Sequence, residues 1–249
     1  MWLLIASDLM FFVGLIGAII VLRAGNNLLF ANHVKQLSKE TSGAGALLLA
    51  ISSGTMFIAV RAARQKSVFR CSIALLATLL FASAFMGSRL LEFATTLNHH
   101  TILARERAGD PLVVFDGQID WWNADPKPTR IIDGFAAPVP ADFDVHAISE
   151  EDVARLARQS TGNPKEFTLP AEIFQDVRYG PAKNIFYASW YTLTAAHLVH
   201  VAVGAIAILL LLIQNLLKKL VLNQVECVAL FWHFIVMLGI VLIPLLYLR

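Results

Sequence analysis

Charge is scarce in this chain. Only 15% of its 249 residues are Asp, Glu, Lys or Arg while 57% are hydrophobic, against about 25% and 45–50% in soluble globular domains. With a mean hydropathy of +0.64, this excludes an ordinary water-soluble domain and points to an integral membrane protein. Cysteine is scarcer still. Cys71 and Cys227 lie far apart and form no CxxC pair, which excludes a disulfide framework and a cysteine zinc site, and both are expected to be small buried thiols. Proline is almost confined to one stretch, with eight of nine between residues 95 and 184. GxGxxG, GxxxxGK[ST], a nucleophile elbow and HExxH are all missing, so the motifs of soluble enzymes give nothing. No internal repeat or low-complexity tract stands out. The N-terminal run MWLLIASDLMFFVGLIGAIIVLR has no basic leader and no small-residue cleavage site, and it carries Asp8. It reads as a retained spanning helix and not as a signal peptide.

What is present is a set of five apolar stretches, approximately Trp2 to Leu22, Ala44 to Val60, Cys71 to Leu91, Ile185 to Ile213 and Val225 to Leu248. Each approaches the roughly 20 residues that cross a hydrocarbon core of about 30 Å. Backbone inside lipid must satisfy its own hydrogen bonds, so the expected fold is all-α, a bundle of five transmembrane helices. The second stretch contains Ser52, Ser53, Gly54 and Thr55, small and hydroxylated residues that suit a helix packed closely among neighbours. Arg61, Arg64, Lys66, Arg70, Lys218 and Lys219 flank one side, and Arg23, Lys35, Lys39 and Arg249 the other. This mild bias places the N-terminus in the cytoplasm and the C-terminus outside.

The expected division is residues 1–94 as helices one to three, 95–184 as an extracytoplasmic insert, and 185–249 as helices four and five. The insert holds 14 of the 18 acidic residues and 9 of the 20 basic ones, a balance of −5. One helix is expected in it, at SEEDVARLARQS, with Ser149 as N-cap and Asp152 three residues on. Acidic residues fill its first turn and Arg155 and Arg158 its last, as the helix dipole prefers. The remainder is expected to be irregular with short strands, anchored to a partner or the membrane interface by Trp121 and Trp122.

Ionisable groups in membrane-length segments cost roughly 2–3 kcal/mol or more when they face lipid, so they turn inward and find partners. Asp8 is one such group, either a proton-exchanging carboxylate or a packing carboxyl bonded to Ser7 or a neighbouring helix. Glu92 lies three residues after Arg89, a spacing that allows an ion pair at the outer boundary of helix three. His197 and His200 sit at i and i+3 on one helical face, and Glu226 and His233 sit two turns apart on another. The simplest arrangement puts all four in the seam between the last two helices. They are residue types that zinc, copper or iron accept, yet no carboxylate shares the histidines' helix as in Glu-x-x-His sites. Interhelical hydrogen bonds are therefore expected there, with no metal site and no catalytic residue.

Taken in order, LLIASDLMFF, SSGTM, GSRLLEF, and HLVH followed by Glu226 and WHF resemble subunit III of the haem-copper oxidases, the cytochrome c oxidase family, in its five-helix bacterial form. The resemblance leaves residues 95–184 uncovered. It implies a non-catalytic subunit of a proton-pumping terminal oxidase in the bacterial inner membrane. Such a subunit packs on subunit I, with subunit II nearby, holds phospholipid, and sustains proton uptake. Haem and copper lie in the partner subunits, none in this chain. Asp8 falls where the family has a membrane-buried carboxylate, normally Glu, that reacts with hydrophobic carbodiimides and lies near lipid; here it is one methylene shorter. Leu198 replaces the glycine of the family's HGxH, and Ile235-Val236 replace the Val-Asp that often follows WHF. The acidic insert is expected to dock a neighbouring subunit or an electron donor such as cytochrome c, and no nucleic acid partner is expected. Two other classes stay open: an accessory protein of nitric oxide reductase, and a stand-alone proton or metal-ion transporter, although no two-halved repeat is present.

Overall fold

The apolar runs become helices, and they run longer than the hydrocarbon requires. A computed structural model of the chain describes residues 2–34, 39–105, 110–119, 130–139, 150–157, 165–169, 172–219 and 221–247. Its elements in order are α1 (Trp2–Gly25), α2 (Asn27–Val34), α3 (Lys39–Arg64), α4 (Val68–Leu97), β1 (His99–Arg105), β2 (Val113–Ile119), β3 (Arg130–Pro138), α5 (Glu150–Ala157), β4 (Lys165–Thr168), β5 (Glu172–Arg178), α6 (Ile185–Leu216) and α7 (Leu222–Tyr247). Among them, α1, α3, α4, α6 and α7 are long and apolar enough to cross a membrane, which marks the chain as an integral membrane protein. At 1.5 Å per residue, the 32 residues of α6 span about 48 Å, so its ends extend past any apolar core. Leu248 and Trp121, Trp122, Ser149 and Arg158 lie outside the described residues.

Two compact units divide the chain, one of residues 1–92 and 184–249, the other of residues 93–183. In the helical unit the core is built by Leu49 and Met56 of α3, Leu75 and Phe85 of α4, Ile208 and Leu211 of α6, and Trp232 and Ile235 of α7. Hydroxyls and amides tie the helices together. Thr55 and Thr78 are hydrogen-bonded at 2.8 Å, Trp232 Nε1 donates to Ser52 Oγ at 3.3 Å, and Asn215 Nδ2 donates to the Val68 carbonyl at 2.9 Å and to Ser72 Oγ at 2.8 Å. The SSGT run of α3 thus faces partners, as its small side chains allow. α1 is the lightly held member, burying only Phe12 and Ile19 and leaving Leu3, Met10 and Val21 open, a surface suited to lipid. Cys71 is buried but Cys227 is exposed, contrary to the expectation of two buried thiols. Its place in the first turns of α7, at the rim of the unit, accounts for this.

Lys66 and Lys218 end α3 and α6 in the left-handed conformation, at φ 56° and 58°. The bonds from Ser67 N to Ala62 O and from Lys219 N to Gln214 O, at 3.1 and 2.9 Å, close each helix as a Schellman turn whose special position more often belongs to glycine. Asn184 starts α6 by accepting from Tyr187 N at 3.0 Å, the ordinary cap chemistry.

The second unit corrects the expectation of an all-α protein with an irregular insert. It holds a five-stranded antiparallel sheet in the order β4-β3-β2-β1-β5. Pro111, Pro138 and Pro181 stand at or beyond strand ends, where a missing N–H does not break the ladder, and this proline-rich punctuation disguised the strands. Ile102 opposite Phe115 and Leu103 opposite Val114 alternate between faces, and both faces are buried. One is a cluster of Ile102, Ala104, Phe115, Ile119, Ile131 and Leu169. The expected helix at SEEDVARLARQS is present as α5. It packs on β1 and β2 with Val153, Leu156 and Ala157 buried.

Candidate functional site

Three residues turn a helix through about 300°, so residues i and i+3 are still offset by about 60°. On α6 that offset separates the two histidines. His200 turns toward α1, where its Nε2 lies 3.5 Å from Asp8 Oδ1, with both side chains 20% exposed. Phe11 stacks on the His200 ring at 22° and Phe12 meets it edge-on, centroids 5.0 Å apart. His200 Nδ1 is 2.7 Å from the Ala196 carbonyl. A carbonyl only accepts, so Nδ1 carries a hydrogen and Nε2 is the ring atom that faces Asp8. The Asp8 and His200 atoms attract each other only when a proton lies on one of them. The contact joins α1 to α6 and is flanked by aromatic rings.

His197 turns the other way, toward α4 and α7. It is buried, lies 5.9 Å from the Phe85 ring centroid, and abuts the backbone at Gly239. Arg89 and Glu92 form a 2.5 Å ion pair with side chains only 7% and 5% exposed, and the guanidinium also sits over the Phe85 ring at 5.5 Å. The expected boundary pair is thus made, but inside the unit, because α4 continues to Leu97 and leaves Glu92 more than one turn from the helix end.

Nor do Glu226 and His233 join a common seam. Glu226, in the first turns of α7, pairs with Arg64 at the end of α3 at 2.8 Å, with side chains 36% and 63% exposed. His233 Nδ1 is 2.7 Å from Ser53 Oγ, again on α3. Two turns of α7 separate the rim from the interior, and α3 supplies the partner at both levels. The expected cluster of four therefore resolves into separate contacts with α1, α3 and α4. Among the described residues no three His, Cys, Asp or Glu side chains converge as a metal site would require.

Two histidine–aspartate pairs on β1 were not among the expected site residues. His99 Nε2 lies 3.1 Å from Asp116 Oδ1, and His100 Nδ1 lies 2.7 Å from Asp176 Oδ1. Successive strand residues face opposite sides, so the tandem histidines serve opposite faces of the sheet. Burial pushes Asp176 upward, but hydrogen bonds from His100 and Arg178, aided by their charge, outweigh it and hold its carboxyl below the ordinary value of 3.8. Thr101 Oγ1, fully buried, links Asp116 to the Tyr179 hydroxyl. Only the NHH run at 98–100 could have signalled this network.

The helical unit and its inserted sheet define a polytopic membrane protein with an ionisable interhelical pair and no assembled metal site among its described residues. No protein-family model matches the chain. Over 76 residues it is 39% identical to cytochrome bo(3) ubiquinol oxidase subunit 3 of Buchnera aphidicola, a match covering 28% of this chain and 36% of that protein. The subunit of the same name from Pseudomonas aeruginosa is 32% identical over 73 residues, 28% of this chain and 35% of its own length. Each match thus spans little more than a third of the relative.

Proposed function

We propose that this chain is a non-catalytic subunit, of the subunit III kind, in a haem-copper terminal oxidase of the bacterial inner membrane. The observation that carries the proposal is the meeting of Asp8 and His200. The LLIASDLMFF and HLVH segments come from opposite ends of the sequence and were singled out by the same resemblance, and their ionisable side chains face each other across α1 and α6. Two relatives named as subunit 3 of a ubiquinol oxidase point the same way.

In this role the chain packs on subunit I, beside subunit II, and haem and copper belong to those partners. The Asp8–His200 pair takes up and releases a proton at the lipid-facing edge of the bundle, supporting proton uptake and turnover lifetime. The open apolar face of α1 is the contact for phospholipid or for the catalytic subunit. The insert lies outside the cytoplasm and uses its negative balance to dock a neighbour or the electron donor. The relatives' names set a quinol beside cytochrome c as the donor to the whole complex.

The test is a reduced-minus-oxidised spectrum of the complex purified in mild detergent, with its chains identified by mass. Haem bands together with a large haem-copper subunit are expected, and oxidation of quinol against cytochrome c then assigns the donor. Co-purification with a nitric oxide reductase, or a haem-free chain alone even in gentle detergent, overturns the proposal. Within a confirmed complex, an Asp8→Ala variant that takes up protons and survives turnover like wild type removes the role given to Asp8.

A further inference from the structure

Neither ring nitrogen of His197 has a hydrogen-bond partner, although the side chain is buried. A neutral imidazole has one N–H to give and one lone pair to receive with, and leaving both unmatched away from water is unfavourable. The ring lines a cavity of about 30 Å³ bounded by α3, α4, α6 and α7. The polar lining is Arg89, Thr194 and His197; Leu49, Leu242 and Leu246 are among the apolar walls. Thr194 Oγ1 donates to the Trp190 carbonyl at 2.6 Å, which leaves its oxygen able to accept. The helix opposite makes room for the ring, since a Cβ at Gly239 would come within 2.9 Å of His197 Nε2.

Size and chemistry together choose the occupant. A water needs roughly 10–15 Å³ on this measure and two to four polar partners. With about 30 Å³, the pocket has room for about two waters beside the imidazole. An anion could receive from the imidazole N–H and from Arg89 but has nothing to give to the imidazole lone pair, and a cation could meet that lone pair and Thr194 Oγ1 but not the N–H. Water meets both.

We propose that His197, Thr194 and Arg89 form a binding site for internal water inside the helical unit, separate from the Asp8–His200 pair. The water bridges the buried imidazole to the Arg89–Glu92 ion pair, making a continuous polar connection from α6 to α4 through an otherwise apolar interior. The proposal concerns the helical unit alone and stands whichever complex the chain belongs to.

The test uses the full-length protein in the complex with which it purifies, in native lipid, exposed to X-ray-generated hydroxyl radicals in oxygen-18 water. Radicals formed from a bound water label the side chain beside it. His197 is expected to gain labelled oxygen, whereas Trp232, fully buried in the same unit and bearing a more reactive ring, stays unmodified. Thr194→Val, which keeps the shape and removes the hydroxyl, is expected to lower the His197 label severalfold. A His197 as unreactive as Trp232 overturns the proposal, as does a label unchanged in Thr194→Val. Xenon bound beside Leu49 and Leu242 would mark a dry apolar void and overturn it too. Should the valine variant fail to fold, the wild-type comparison and the xenon experiment decide between the wet and dry site.

Discussion

Arg89 and Glu92 hold each other at 2.5 Å inside the helical unit, with less than a tenth of either side chain exposed. A buried pair of this kind is costly to break from one side and cheap to replace as a whole. Arg89→Met alone, which removes the cation from a buried carboxylate, is expected to lower stability by about 3–5 kcal/mol, whereas Arg89→Met combined with Glu92→Leu is expected to be near neutral or stabilising. Reversible unfolding in mixed micelles measures both; equal losses in single and double variants would contradict the account.

Close packing of α6 on α7 depends on Gly204. A Cβ there would sit 2.8 Å from Trp232 Cε3, and the indole is fully buried and bonded through its nitrogen to Ser52, so it has little freedom to retreat. Gly204→Val should cost about 1–3 kcal/mol, the usual range for overpacking, with Gly204→Ala smaller but of the same sign. Thermal unfolding of the two variants beside wild type checks the order.

Lys66 and Lys218 occupy left-handed positions, which cost an ordinary residue roughly 1–2 kcal/mol relative to glycine. Lys66→Gly and Lys218→Gly are each expected to stabilise the helical unit, less the small loss of a cation near a helix C-terminus. A lower unfolding temperature in both variants would run against this.

In the sheet, the partners of Asp176 hold its carboxyl below the ordinary 3.8. A carboxylate whose folded value is depressed contributes stability that is complete above its unfolded value and is lost as pH falls through its folded value. Protection of β1 and β5 amides from hydrogen exchange should therefore decline as pH drops below about 3.8, and Asp176→Asn should flatten that decline while lowering protection at neutral pH. Amide exchange followed by mass spectrometry across this range is the measurement.

Much of the helical unit was legible because hydrocarbon allows few solutions: long apolar runs become helices, and hydropathy alone finds all five. The sheet was harder to read. Its strands are four to nine residues long, the central β1 and β2 are buried on both faces, and prolines at strand borders look like loop signals, so the period-two pattern is faint. The candidate residues were found, but not their partners. Spacing placed His197 and His200 on one face, while the remaining 60° of rotation gave one to α1 and the other to the interior. Glu226 and His233 went to Arg64 and Ser53 because α3 lies along α7, a neighbour relation that no local pattern encodes. Cys227 was misjudged because burial tendency is an average and the residue stands near a helix start.

α1 buries two side chains and is held otherwise by the Asp8–His200 pair and by Arg23 Nη1, which donates to the Leu245 carbonyl at 2.8 Å. Pulled from the N-terminus, the chain would release this helix at low force and resist only when α3 and its partners are reached. Harsh detergent acts in the same order, prising α1 away first. A preparation can therefore lose the Asp8–His200 contact between α1 and α6 while the remaining helices stay folded, and such a sample would still look intact by helical content.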